Sequence, residues 1–293
     1  MAIIIGFISE KGGVGKTTSV YHCAGALQRY HNKKVLVLDT DYQRGGLTCR
    51  LKPEMLEEFK TGEVQNITTV YHAYQSLYSG RNTQQELTIL STDSDIDLIA
   101  AEPRLNSVSV DKLPPTPNVR DKNRMWLRHL TLIKDCLKTV ETHYDFILID
   151  SHPDLYDLER AVIYCSDYCV SPVKLDEQSA RGVASTTEAI KNVAEDVKAL
   201  GTLLKLAQND QDTIFLGAVG MRCRDYNGLK KTEQTIYNRL KKTSGIFNSY
   251  ITEGDGIRKA AEKWWLVYDI SSANAEKQSK QFREFVSELL KKL

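Results

Sequence analysis

The sequence predicts an α/β fold built on parallel strands, and three observations carry that expectation. Residues 2–8 form an almost unbroken apolar run, as in a strand covered on both faces. Residues 33–39 (K-K-V-L-V-L-D) and 144–150 (Y-D-F-I-L-I-D) repeat the pattern, each ending in an aspartate. Between the first two runs, Val20, Cys23, Ala24 and Leu27 recur at helical spacing over 17–30. A chain of 293 residues can bury roughly three quarters of its extended surface, enough for one large α/β domain or two smaller ones. Lysine and arginine total 39 against 38 acids, so global charge selects neither a nucleic-acid binder nor an enzyme for acidic substrates. Any such activity must come from local patches.

Residues 10–18, directly behind the first run, read E-K-G-G-V-G-K-T-T. Gly12, Gly13 and Gly15 permit backbone conformations that a Cβ forbids, so successive N–H groups can converge on phosphate oxygens. Lys16 adds a point charge, and Thr17 opens a helix whose N-terminus favours an anion and whose hydroxyl can ligate magnesium. With Val14 and Thr18 these residues make a Walker A-like loop that carries a second lysine, Lys11, directly ahead of its glycines. This K-G-G-x-G-K-[ST] pattern resembles the deviant P-loop of the ParA/MinD family of ATPases, and most closely that of the ParA/Soj-like partition proteins. The resemblance covers residues 3–293, least over 52–86. It implies one doubly wound α/β domain, 1–293, with a mainly parallel sheet flanked by helices.

The second run ends in D-T-D-Y-Q-R-G. Ligands of doubly wound folds lie beyond the carboxyl ends of the strands, which puts Asp39 and Asp41 at the P-loop edge. Alone, D-x-D reads as a turn cap. Behind this P-loop it resembles the family's Walker A′ element, D-x-D-P-Q, with Tyr42 in place of the proline. The resemblance implies that Asp41 positions the attacking water and that Asp39 lies near magnesium. Residues 144–153 (Y-D-F-I-L-I-D-S-H-P) read as a Walker B strand whose Asp150 holds magnesium directly or through water. The family usually continues T-P-P, so Ser151-His152 is a second departure. His152 is expected to be a positioned, structural histidine rather than a general base, since phosphoryl transfer seldom needs a strong one.

Elsewhere, residues 52–60 predict a short helix stopped at Gly62, and the resemblance implies a strand and a helix start over 87–90 and 95–102. The prolines of 113–117 mark a loop before a helix over 120–140, with Trp126, Leu127, Leu130, Ile133 and Leu137 facing the core. A strand over 167–172, a long amphipathic helix over 178–200 and a buried strand over 213–221 follow. By resemblance, Met221 and Arg222 contact the adenine, and 262–270 hold a final strand and loop near the nucleotide. Residues 221–242 carry Arg222, Arg224, Lys230, Lys231, Arg239, Lys241 and Lys242 against Asp225 and Glu233, a net of plus five, which Arg258 and Lys259 extend. Such a cluster neutralises phosphates without reading bases, and on charge alone a solvated helix face accounts for it equally. The resemblance favours non-specific DNA. The last helix, 275–293, lines up Phe282, Phe285, Val286, Leu289 and Leu293; Glu284 and Glu288 interrupt its positive charge, so packing on the sheet is expected rather than membrane binding.

The six cysteines form no paired C-x-x-C spacing, and Cys165 and Cys169 read as small buried hydrophobes. Reduced thiols and the lack of a leader or spanning segment fit a cytoplasmic protein, nucleoid-associated when ATP is bound. The resemblance implies an ATPase using ATP and Mg2+, with Lys11, Lys16 and Asp41 catalytic and Lys11 reaching the phosphates of a partner copy in an ATP-dependent homodimer. A ParB-like or adaptor protein would stimulate hydrolysis, and the cycle would segregate plasmid or chromosomal DNA or position other cargo. Two alternatives are a MinD-like membrane-associated regulator and an ATP-dependent synthetase of the same superfamily. An iron-protein reductase is weaker, because no cysteine stands in a suitable loop beside Asp150.

Overall fold

The computed structural model describes residues 1–81, 85–153, 156–206, 212–225 and 228–293. Its first half runs β1 (Ile3–Phe7), α1 (Lys16–His31), β2 (Val35–Asp39), α2 (Leu47–Leu51), α3 (Leu56–Thr61), α4 (Val70–Tyr78), β3 (Asp97–Ile99) and α5 (Val119–Leu137). The second half runs β4 (Phe146–Asp150), α6 (Asp157–Cys165), β5 (Tyr168–Val173), α7 (Glu177–Leu204), β6 (Ile214–Cys223), α8 (Lys231–Thr243), β7 (Ile246–Thr252), α9 (Asp255–Lys263) and α10 (Ala273–Leu290). The strands form one seven-stranded parallel sheet in the order β3-β2-β4-β1-β5-β6-β7.

The apolar runs become strands because both faces are covered. β2 and β4 are buried at every position, with α1 packed on both, while α7 covers β5 and β6 and α10 covers β7. The order reverses around β1, whose neighbours are β4 and β5, so the chain leaves the carboxyl end of β1 at a crevice between diverging connections. Register then sets the chemistry: Asp39 pairs with Asp150, and Phe7 pairs with Asp150 on its other side. Thr40 closes this edge, its N–H and its hydroxyl both donating to Asp150 O at 2.9 Å.

Three expectations need correction. Residues 262–270 hold no strand: Trp264 ends α9 at φ 59°, and the following turn lies on α1, where Tyr268 Oη donates to His22 O at 2.7 Å. The edge strand is instead β7, whose Asn248 and Ser249 interrupt the apolar pattern while Glu288 of α10 accepts both their N–H groups. Of 87–102 only Asp97–Ile99 joins the sheet; Leu90 bridges Leu98 antiparallel, and a 3-10 turn, Pro103–Ser107, replaces the expected helix start. Within the least-covered segment 52–86, residues 82–84 lie outside the described residues. The apolar face of α10 is fully buried, with Phe282, Phe285, Val286 and Leu289 packed towards β7 and α1. No helix among the described residues is long and apolar enough to cross a membrane.

Candidate nucleotide-binding site

The loop between β1 and α1 turns on glycine. Gly13 (φ 70°) and Gly15 (φ 105°) occupy the left-handed region, and a Cβ on Gly15 would lie 3.1 Å from Met221 Cε. α1 begins at Lys16 with no acidic residue in its first turn and no side-chain cap, so its first N–H groups face the loop without a side-chain acceptor. Lys16 is 6% exposed, and its Nζ donates to Ser9 O at 2.9 Å. A pocket of about 290 Å³ results: Gly12, Gly13, Lys16, Thr17 and Thr18 form one wall, Asp41, Gln43 and Arg50 the opposite one.

The acidic wall divides its work. Asp39 is fully buried; its Oδ2 accepts from Thr48 N and Thr48 Oγ1, both at 2.7 Å, and its Oδ1 from Asp41 N at 3.0 Å. Burial and the neighbouring Asp41 push its carboxyl up to about 7, against the pull of the Thr48 bonds. Asp39 therefore anchors the loop after β2. Asp150, also fully buried, has no hydrogen-bond partner at bonding distance on either oxygen among the described residues, although the Thr17 hydroxyl stands close enough to act on its carboxyl. Burial, then Asp39 and Asp41, hold its carboxyl well above the usual range, while Thr17 and Lys16 oppose that rise.

A buried, unsatisfied carboxylate is costly unless a cation or donor meets it. Among the described residues, no three His, Cys, Asp or Glu side chains converge on a metal cage. One orphaned carboxylate beside a threonine hydroxyl instead suits Mg2+, which keeps several waters and takes its remaining ligands from phosphate.

Arg50 is the site residue that the sequence did not disclose. It projects from the five-residue α2, too short for a readable period, and lines the pocket. Burial holds its guanidinium below the usual arginine range while Asp150 acts against that fall. Met221, read as an adenine contact, is placed instead beneath the loop, 1% exposed, where Ser19 Oγ donates to its Sδ at 3.4 Å. Arg222 (φ 56°) lines the pocket and pairs with Glu253 at 3.1 Å. Val14 is buried. Lys11 turns away from the pocket: its Nζ lies 3.5 Å from the Asp176 carboxylate and 3.3 Å from Ser179 Oγ, at the N-terminus of α7.

A family described as an AAA domain matches residues 2–201, the stretch that holds the P-loop and all three aspartates. The chain belongs to this family, in its ParA/MinD-type branch. This ParA-type chain is 26% identical over 296 residues to a ParA family protein of Mycoplasma genitalium, covering 98% of this chain and 97% of that one. It is also 26% identical over 210 residues to the sporulation initiation inhibitor protein Soj of Bacillus subtilis, covering 70% and 73%. It spans about half the length, 54%, of two uncharacterised Mycobacterium tuberculosis proteins that it matches at 28% identity over 66% of its own chain.

Among solved structures, Cyanothece McdA in complex with ATP gives a TM-score of 0.69 at 19% identity, covering 99% of this chain and 96% of that one. A plasmid partition protein of Borrelia burgdorferi bound to AMPPNP gives 0.68 at 23%, covering 100% of both. Cobyrinic acid a,c-diamide synthase of Mycobacterium smegmatis with ADP and magnesium gives 0.68 at 18%, covering 99% and 95%. At these identities the structural likeness establishes the fold alone.

The basic residues of this ParA-type chain are not one surface. α8 packs on α7, whereas α9, with Arg258 and Lys259, packs on α10. Arg224 pairs with Glu233, Arg239 with Glu177, Arg258 with Glu262 and Lys259 with Asp255. Lys230, Lys231, Lys241 and Lys242 are exposed and form no ion pair among the described residues.

Proposed function

We propose that this chain is an ATP-operated dimer switch that binds DNA non-specifically. The observation that carries the reading is Asp150: a fully buried carboxylate beside Thr17 and Lys16, two residues that line the P-loop pocket. Gly12, Gly13 and the first N–H groups of α1 cradle the phosphates, Lys16 and Arg50 neutralise them, and Arg222 borders the base. Thr17 and Asp150 would hold Mg2+, with Asp39 fixing the loop behind them; when bound, the ion would neutralise charge on the transferring phosphates. Asp41, tethered to both Asp39 and Gln43, orients the attacking water.

Lys11 is the residue that couples nucleotide to assembly. On its own subunit it rests on Asp176 and Ser179, and in the dimer it crosses to the partner copy's phosphates, a contact that exists only while the polyphosphate does. Joining two copies doubles the exposed lysines of α8 presented to DNA, which raises salt-sensitive binding. A partner protein stimulates hydrolysis and resets the monomer. The full burial of the apolar face of α10 supports this reading over a membrane-bound regulator.

A synthetase is the second reading. Beside the P-loop pocket, sharing Arg222, lies a cleft of about 570 Å³ lined by Lys174, Asp176, Arg224, Lys230 and Glu233, where a second small substrate could sit. Light scattering separates the two. With ATP and Mg2+ the wild type is expected to double its mass and Lys11→Ala to stay monomeric at unchanged ATP affinity. Wild type that stays monomeric with ATP, or Lys11→Ala that dimerises as wild type does, contradicts the switch.

A further inference from the structure

Two departures from the family pattern, Tyr42 after the Walker A′ aspartates and His152 after the Walker B aspartate, lie in different loops of the chain, yet the fold sets their rings face to face. The centroids are 4.0 Å apart and the planes 17° from parallel. His152 Nε2 lies 3.1 Å from Gln43 Nε2, within hydrogen-bond distance, and 3.9 Å from Asp41 Oδ1. The Gln43 N–H in turn donates to Asp41 Oδ1 at 3.0 Å, and the Asp41 N–H to Asp39 Oδ1 at 3.0 Å. A line of contacts thus runs from His152 through Gln43 and Asp41 to Asp39. We propose that Tyr42 and His152 are positioning residues, a clasp that ties the Walker A′ loop to the Walker B segment and so sets Asp41 and Gln43 for hydrolysis. This rests on the ATPase reading above.

The physical distinction is between restraint within a loop and restraint between loops. A proline, the usual family residue at each place, fixes φ of its own backbone and transmits nothing to the other segment. A ring stack leaves each backbone freer but makes the position of one loop depend on the other. His152 is two residues beyond Asp150, which stands beside Thr17 and Lys16 of the P-loop, so a shift of the Walker B segment is felt at Gln43 and Asp41 through a side-chain contact. The rings also have room to part: behind them a cavity of about 360 Å³ is bounded by Leu105, Val108 and Leu158. The clasp can therefore open and close, where two prolines would leave two independently stiff turns.

The test compares wild type, Tyr42→Ala, His152→Ala, the double variant and His152→Phe, with thermal unfolding as the check on folding. Each alanine variant is expected to lower kcat about tenfold with KM for ATP changed less than about twofold, because geometry rather than binding is impaired. The double variant is expected to be no slower than the worse single one, as for residues acting as a unit. His152→Phe, which keeps a ring but not the nitrogen, is expected to fall between wild type and His152→Ala.

Hydrogen exchange without nucleotide gives a readout independent of turnover: Tyr42→Ala is expected to speed exchange over 150–153 as well as 40–46. Additive losses in kcat, losses confined to KM, or exchange that rises only in the mutated loop overturn the clasp. If wild type itself turns over no ATP, the ATPase reading fails, and the exchange pattern still decides whether the two loops are coupled.

Discussion

Charge is held in two opposite ways in this molecule. Around the P-loop it is buried: Lys16, Asp39, Asp41 and Asp150 are each less than a tenth exposed, and the first three each hydrogen-bond to a named partner. On α8 and α9 it faces solvent, and its arginines lean on neighbouring acids. Buried charges shift in pKa and are costly to disturb, whereas an exposed pair contributes about 0–1 kcal/mol and exchanges readily for another partner. The first region therefore works by position and the second by number.

The comparison sharpens most with pH. Because burial raises the Asp39 carboxyl to about 7 and Asp150 above its usual range, the pair holds a proton more readily than free carboxylates, and on the proposed reading an incoming cation would displace it. Mg2+ affinity in the presence of ADP is expected to fall as pH drops through about 7, the value to which Asp39 is raised, with proton release seen by calorimetry in buffers of different ionisation heat. A flat profile down to about pH 5 would show that the carboxylates are already ionised. Next in size is Arg50→Ala, which removes a charge-assisted phosphate interaction; ATP affinity measured by a fluorescent analogue is expected to fall about 10- to 100-fold, with Arg50→Lys recovering part of it. Smallest is Lys241→Ala with Lys242→Ala, expected to weaken DNA binding uniformly across sequences and to reduce its salt slope by about 0.9 for each DNA phosphate that is no longer neutralised.

What was legible in the sequence divides along the same line. The P-loop and both Walker aspartates follow apolar runs directly, so a local pattern sufficed to place them at one edge of a parallel sheet. Arg50 was missed because α2 is only five residues long. β7 was missed because Asn248 and Ser249 break its apolar run, and the reason for them, Glu288, lies on another helix. The strand expected over 262–270 rests on the resemblance alone; the apolar character of Trp264–Tyr268 serves packing on α1, where Tyr268 and Val267 bond to His22, and not a ladder. The Tyr42–His152 stack depends on the register of β2 against β4, which no local pattern contains.

One measurement addresses the switch most directly: DNA binding by wild type and Asp41→Ala at two salt concentrations, with ATP and Mg2+, with ADP and Mg2+, and with neither. Binding that needs ATP, weakens with salt, ignores sequence and lasts longer in Asp41→Ala is the result this account predicts. Binding that is the same in all three nucleotide states, or none in any of them, contradicts it.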